Sequence, residues 1–268
     1  MSGGAYLPPG MRNTGSAMTS KSMAFDDYLA RLRARLSGEA GGQRRVVAFF
    51  DLDRTLIDGY SLTALAWQQL FNGDLSLRRV ISLGAMFLGY GLGRKDYAEM
   101  LQATVNDIRG MTEEALYALG RQAYEERLAS WIYREGFELV ATHRELGHDV
   151  VMVTSATRYQ AAPVIDALGF DEVACTELEI VDGRIAGGVR ACYGPGKLDA
   201  AQRYVGAVGA ELSDAYFYSD SPDDLPLLEG VGNPVVVNGK AKLVKIGTGR
   251  GWPTLEFQET GWATPRAA

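Results

Sequence analysis

Asp51 and Asp53 have the clearest capacity for chemistry in this sequence, because of their spacing and what precedes them. They stand two apart in Asp51-Leu52-Asp53-Arg54-Thr55-Leu56, directly after the apolar, β-prone run Val46-Val47-Ala48-Phe49-Phe50. Such a run reads as a fully buried strand, and open α/β sheets bind their ligands at the carboxyl ends of strands. A carboxylate in that place can act as a nucleophile, and its neighbour as a proton donor and acceptor. The competing reading is a solvated turn, since Asp is common after strands.

Three later segments supply groups that phosphoryl chemistry needs. His148 to Val153 reads as a second buried strand, delivering Thr154-Ser155-Ala156-Thr157 to a loop that opens a helix. A hydroxyl with adjacent backbone N–H groups at a helix start suits phosphate oxygens. Gly194-Pro195-Gly196-Lys197 precedes a helical stretch, so Lys197 falls in its first turn, where a cation opposes the helix dipole. Ala215-Tyr216-Phe217-Tyr218 is a third buried strand, followed by Ser219-Asp220-Ser221-Pro222-Asp223-Asp224. Acids so close repel one another unless a cation or hydrogen bonds compensate them.

In that order the segments resemble the four motifs of the haloacid dehalogenase superfamily of phosphohydrolases, specifically its phosphoserine-phosphatase-like branch, subfamily IB. The match is Asp51, Asp53 and Thr55, then Ser155, then Lys197, then Asp220 and Asp224, and the likeness covers roughly residues 45 to 250. The resemblance implies a Mg²⁺-dependent phosphomonoesterase acting on a small phosphorylated metabolite. Asp51 would attack phosphorus to give an aspartyl-phosphate. The metal would take carboxylate oxygens of Asp51 and Asp220 and the backbone carbonyl of Asp53. Thr55, Ser155 and the N–H groups around Ala156 would hold phosphate, with Lys197 adding positive charge and Asp224 orienting it. Asp53 would protonate the departing alkoxide, which favours ester hydrolysis over carbon–halogen cleavage.

The chain departs from phosphoserine phosphatases around the leaving group. Tyr60 replaces the Glu that binds the serine ammonium, and Asp223 replaces the common Asn of the fourth motif. No arginine for the serine carboxylate is identifiable in the cap. Phosphoserine phosphatase proper and a phosphatase of glycerol-type or lipid-like phosphates therefore both stay open. A catalytically silent phosphate-binding protein is the alternative from a different class.

These residues need a scaffold that brings strand ends together. Alternation of strands and helices after residue 146 implies a three-layer, Rossmann-like α/β fold with a parallel sheet and right-handed crossovers. Residues 45–57 and 131–250 form this core, and 58–130, helical in pattern, form an inserted all-α cap. Residues 1–23 read as a disordered tail, 24–44 as an amphipathic helix and linker, and 251–268 as a loose C-terminal tail. Within the core Trp131 to Leu146 reads as a helix, and a short strand at 173–175 precedes a hairpin of 178–181 and 184–186 turned by Asp182-Gly183.

Composition narrows the class. A net charge of −6 argues against non-specific nucleic-acid binding. Two cysteines, Cys175 and Cys192, make no disulfide framework and fit a cytoplasmic protein. No apolar run reaches ~18 residues, so no transmembrane segment is expected. The uncharged stretch 80–93, flanked by Arg78-Arg79 and Arg94-Lys95, reads as a packed cap helix and leaves peripheral membrane contact open. Oligomeric state is not legible. A P-loop is excluded because Leu198 stands where Ser or Thr is required. Neither cysteine has an Arg six residues later, and His143 and His148 lack the Arg-His-Gly context of histidine phosphatases, so both read as surface or packing residues.

Overall fold

The computed structural model describes residues 23–36, 45–73 and 97–261, with Ser76, Arg78, Ile81, Ser82, Gly84 and Ala85 between them. The expected N-terminal tail, most of the apolar stretch 80–93 and the last residues of the chain lie outside the described residues.

The apolar run after residue 45 forms β1 (Val47–Phe50), every residue of which is buried. It is followed by β2 (Asp149–Thr157), β3 (Glu172–Val181), β4 (Arg184–Arg190), β5 (Tyr216–Ser219), β6 (Asn233–Val237) and β7 (Thr254–Leu255). The sheet order is β4-β3-β2-β1-β5-β6-β7, parallel except for the β3–β4 pair. Sequence order runs away from β1 on one side and resumes with β5 on the other. This switch point is where such sheets open a crevice for ligands.

Two-residue alternation sends side chains of β1 to opposite faces. Ala48 and Phe50 join a core with helices α1 (Phe25–Leu36), α5 (Arg134–Glu145) and α6 (Arg158–Leu168). Val47 and Phe49 join the other, with α7 (Pro195–Val208), α8 (Leu225–Gly230) and α9 (Ala241–Gly249). Tyr28, Leu29 and Leu32 of α1 are buried, so the N-terminal amphipathic helix docks on the core.

Between β1 and α5 the named elements among the described residues are helices: α2 (Ser61–Phe71), α3 (Tyr97–Ile108) and α4 (Glu113–Ala123), which continues through a π-helical turn to Trp131. The chain enters and leaves this cap through one short antiparallel stalk. Asp58 N–H donates to Trp131 C=O at 2.8 Å and Tyr133 N–H to Leu56 C=O at 2.9 Å. The cap packs closely on α6, since a Cβ at Gly120 would lie 2.0 Å from the Tyr159 carbonyl oxygen.

Four local expectations change. β2 runs to Thr157 with a register irregularity after Val153, so Ser155 sits in an irregular strand end rather than a loop. β3 is one strand whose first half pairs with β2 and whose second half pairs with β4, through a turn with Asp182 and Gly183 at φ 50 and 70. Extended Ile132 and Tyr133 of the stalk interrupt the helix expected from Trp131 to Leu146. The segment after residue 250 is no loose tail through 261: β7 pairs with β6, and Phe257 packs against Phe25 and Tyr133.

His143 and His148 belong to a buried polar chain. Tyr28 and Tyr218 hydroxyls meet at 2.8 Å, Tyr218 OH meets His143 Nε2 at 2.7 Å, and the histidine Nδ1 atoms meet at 2.8 Å. Burial lowers both imidazoles, His148 to about 4 from 6.5. The neutral rings therefore contribute stability that is complete above pH 6.5 and is lost as pH falls toward about 4. Urea midpoints should decline across that window, and His148→Asn should flatten the decline. An identical slope in the variant would contradict this.

Candidate active site

The register of β1 fixes the first acid. Asp51 N–H donates to Tyr218 C=O at 3.0 Å, extending the β1–β5 ladder one residue, so the side chain emerges where the two strands end. The loop then turns sharply. Arg54 adopts φ 65, a left-handed conformation that costs a non-glycine residue about 1–2 kcal/mol. Leu56 N–H returns to Leu52 C=O at 2.9 Å. This turn brings Asp53 Oδ1 to the Ser61 N–H, 2.7 Å away at the first residue of α2, where the helix dipole favours an anion. Asp53 is thereby held by the first helix of the cap.

Lys197 lies in the first turn of α7, only 2% exposed. Its Nζ donates to Asp51 Oδ1 at 2.7 Å and Asp224 Oδ2 at 2.8 Å. Ser219 Oγ also donates to Asp224 Oδ2, at 2.6 Å, and accepts from Ser221 N–H at 3.1 Å. Thr55 Oγ1 accepts the Asp220 N–H at 3.1 Å, tying the first acidic loop to the last. The pair of Asp51 and Lys197 thus joins segments 146 residues apart.

Three buried carboxylates, Asp51, Asp220 and Asp224, face one buried cation. Burial raises Asp51 above the ordinary carboxylate range; the Lys197 cation opposes that shift, and the Asp224 and Asp220 charges add to it. Burial raises Asp220 to about 6, and raises Asp53 against the pull of the Ser61 hydrogen bond. Burial alone would lower the Lys197 ammonium, but Asp224 and Asp51 outweigh it and hold it above the ordinary lysine range. The buried Asp220 Oδ2 has no hydrogen-bond partner among the described residues. Excess negative charge and an orphaned carboxylate oxygen are what a cation site requires. Among the described residues no group of three or more His, Cys, Asp or Glu is arranged to hold an ion alone. Asp51 and Asp220 are carboxylates of the kind that suit Mg²⁺, which binds through one or two carboxylates and keeps several waters.

The remaining expected residues divide. Ser155 and Ala156 lie beyond the β2 residue paired with Phe50. Thr176 Oγ1 donates to the Ser155 carbonyl at 2.8 Å, and the Ala156 N–H donates to Thr154 Oγ1 at 3.1 Å. The Asp223 carboxylate accepts from Ser221 Oγ at 3.2 Å. Tyr60 is the residue before α2, 45% exposed, with no contact to these groups described.

Three participants carried no sequence signal of their own. Ser219 braces Asp224. Lys240 places Nζ 3.2 Å from Ser221 Oγ and 3.7 Å from Asp220 Oδ2. Tyr97, from the cap, stacks on Tyr193 at 3.8 Å and points its hydroxyl to the Ser155 carbonyl at 3.5 Å. Tyr97 follows Arg94-Lys95-Asp96 with no motif around it, and Lys240 sits in a loop, so neither stood out.

A family model described as haloacid dehalogenase-like hydrolase matches residues 48–229. A probable phosphatase of Mycobacterium tuberculosis is 32% identical over 82% of this chain and 78% of its own length. A histidinol-phosphatase of Neisseria meningitidis is 29% identical over 79% of this chain and 99% of its own. A solved structure of a Bordetella pertussis protein of unknown function superposes with a TM-score of 0.73 at 26% identity, covering 80% of this chain and 99% of that one.

Proposed function

Because the chain belongs to the haloacid dehalogenase-like hydrolases and is a phosphatase, we propose that it hydrolyses a small phosphomonoester through an aspartyl-phosphate on Asp51, with Mg²⁺ as cofactor. The observation that carries this reading is the buried ion pair of Asp51 with Lys197, beside an Asp220 oxygen that has no hydrogen-bond partner among the described residues.

Asp51 attacks phosphorus in line, and the bond to the leaving oxygen breaks. Asp53 gives that oxygen a proton, and its raised pKa suits it to hold one. Asp53 then takes a proton from the water that attacks the aspartyl-phosphate, releasing phosphate and restoring Asp51. Asp51 and Asp220 would hold Mg²⁺ with the Asp53 carbonyl; when bound, it supplies positive charge that offsets the approach of a carboxylate to an anionic phosphate. Lys197 adds a fixed positive charge beside the nucleophile, and Asp224, braced by Ser219, keeps it in place. Preorganised charge of this kind supplies most of the stabilisation in phosphoryl transfer. Thr55 also joins the two acidic loops through its hydroxyl, and Thr55, Ser155 and Ala156 border the phosphate site.

The substrate reading rests on the leaving-group side. The cap side chain at the Ser155 carbonyl is the aromatic Tyr97, and the residue before α2 is Tyr60 in place of an acid. Such a pocket favours a leaving group other than serine, of glycerol-type, lipid-like or ring-bearing character. The histidinol-phosphatase likeness adds a ring-bearing candidate. Phosphate release from an aryl phosphate, glycerol phosphate, histidinol phosphate and phosphoserine, with Mg²⁺ or in EDTA, tests this. Activity should require Mg²⁺, and kcat/KM for phosphoserine should not be the highest; a clear phosphoserine preference returns the chain to that branch's best-known activity. In the same panel Asp53→Asn should damage alkyl esters roughly 10–100-fold more than the aryl ester, whose leaving group departs with little protonation. Equal losses would show that Asp53 is not the acid.

A further inference from the structure

Among the described residues the site contains two lysines, and their settings differ. Lys197 is 3% exposed at its side chain and donates to two carboxylates, so it has nowhere else to go. Lys240 is 45% exposed and reaches the same acid cluster from its rim. It belongs to the turn after β6, where Asn238 takes φ 46 and a Cβ at Gly239 would lie 2.3 Å from Val236 Cγ1. Its own N–H donates to the Asp220 C=O at 2.9 Å, which pins its backbone to the acid it faces. The ammonium lies 3.7 Å from Asp220 Oδ2, within ion-pair range but too far for a hydrogen bond, and that oxygen has no other partner among the described residues. Its hydrogen bond goes to Ser221 Oγ at 3.2 Å, and that hydroxyl donates to Asp223.

From this juxtaposition we propose that Lys240 is a tethered, displaceable counter-ion that competes with the divalent cation for Asp220 and so sets the affinity of the site for metal. The proposal rests on the reading that Asp51 and Asp220 hold a divalent ion. Without metal, the ammonium offsets the Asp220 charge and, through Ser221, the added acid at Asp223. When a divalent ion approaches, the half-exposed side chain withdraws into solvent, where an ammonium is well hydrated. Two like charges this close repel even with strong solvent screening, so Lys240 lowers metal affinity throughout.

Calorimetric titration of MgCl₂ into the full chain, previously stripped with chelator, tests the idea on wild type, Lys240→Gln and Lys240→Arg. Lys240→Gln should bind Mg²⁺ about tenfold more tightly, and Lys240→Arg should stay near wild type. The gap should narrow at high salt, because the competing charge is exposed. A structural role alone would leave affinity unchanged or weaken it. Equal or weaker binding by Lys240→Gln overturns the proposal while leaving the divalent-ion reading intact. Absence of Mg²⁺ binding by wild type and both variants overturns the two together.

Discussion

Asp51→Asn should reduce phosphatase turnover by on the order of 10³–10⁵, equivalent to about 4–7 kcal/mol of lost transition-state stabilisation. The amide keeps the shape and still accepts the Lys197 hydrogen bond, but it cannot act as the nucleophile. The fold should survive. Lys197 keeps Asp224, and removing one of the clustered carboxylates relieves repulsion with Asp220. Steady-state rates with an aryl phosphate, beside thermal melting of the same preparation, check both halves. A rate within tenfold of wild type would mean that Asp51 is not the nucleophile.

Lys197→Met should have the largest combined effect on rate and stability. The substitution keeps an unbranched side chain but leaves Asp51 and Asp224, 5% and 2% exposed, without their buried cation. Removing one partner of a buried ion pair costs about 3–5 kcal/mol, and the rate should fall about 10²–10³-fold as a preorganised charge is lost. The lost stability should be partly recovered as pH falls, because protonation removes the unpaired carboxylate charge. The sign follows from Asp51, which burial already raises above 3.8: a carboxyl raised on folding favours the native state below its unfolded value and loses that contribution as pH rises. Denaturant midpoints at several pH values check this. A stability equal to wild type at neutral pH would mean that solvent, not Lys197, compensates the acids.

The candidate site was legible because each of its groups follows its own strand or opens its own helix. Val46-Val47-Ala48-Phe49-Phe50 announces a buried strand, and a buried parallel strand delivers the next residues to the sheet's carboxyl edge. The Asp182-Gly183 turn was legible for the same local reason. What the sequence did not show depends on contacts between distant segments. Thr176 and Glu177, polar in sequence, separate the strands expected at 173–175 and 178–181, yet β3 runs on through them because it exchanges a parallel partner for an antiparallel one there. Thr254 and Leu255 form a strand only because β6 offers an open edge. Tyr97 reaches Ser155 across 58 residues and Tyr28 reaches Tyr218 across 190, and no periodicity encodes such pairs. Thr55 was legible as part of the site, but its bond to the Asp220 amide required the fold.

The covalent intermediate is the most direct test of the proposed mechanism. Enzyme turning over a substrate with radiolabelled phosphate, in Mg²⁺, would be quenched in acid within the first turnovers and digested. Label should appear in the peptide containing Asp51, be lost on treatment with hydroxylamine as an acyl phosphate is, and be absent from Asp51→Asn. Rapid turnover with no label on the protein, or label on a peptide lacking Asp51, would contradict the account.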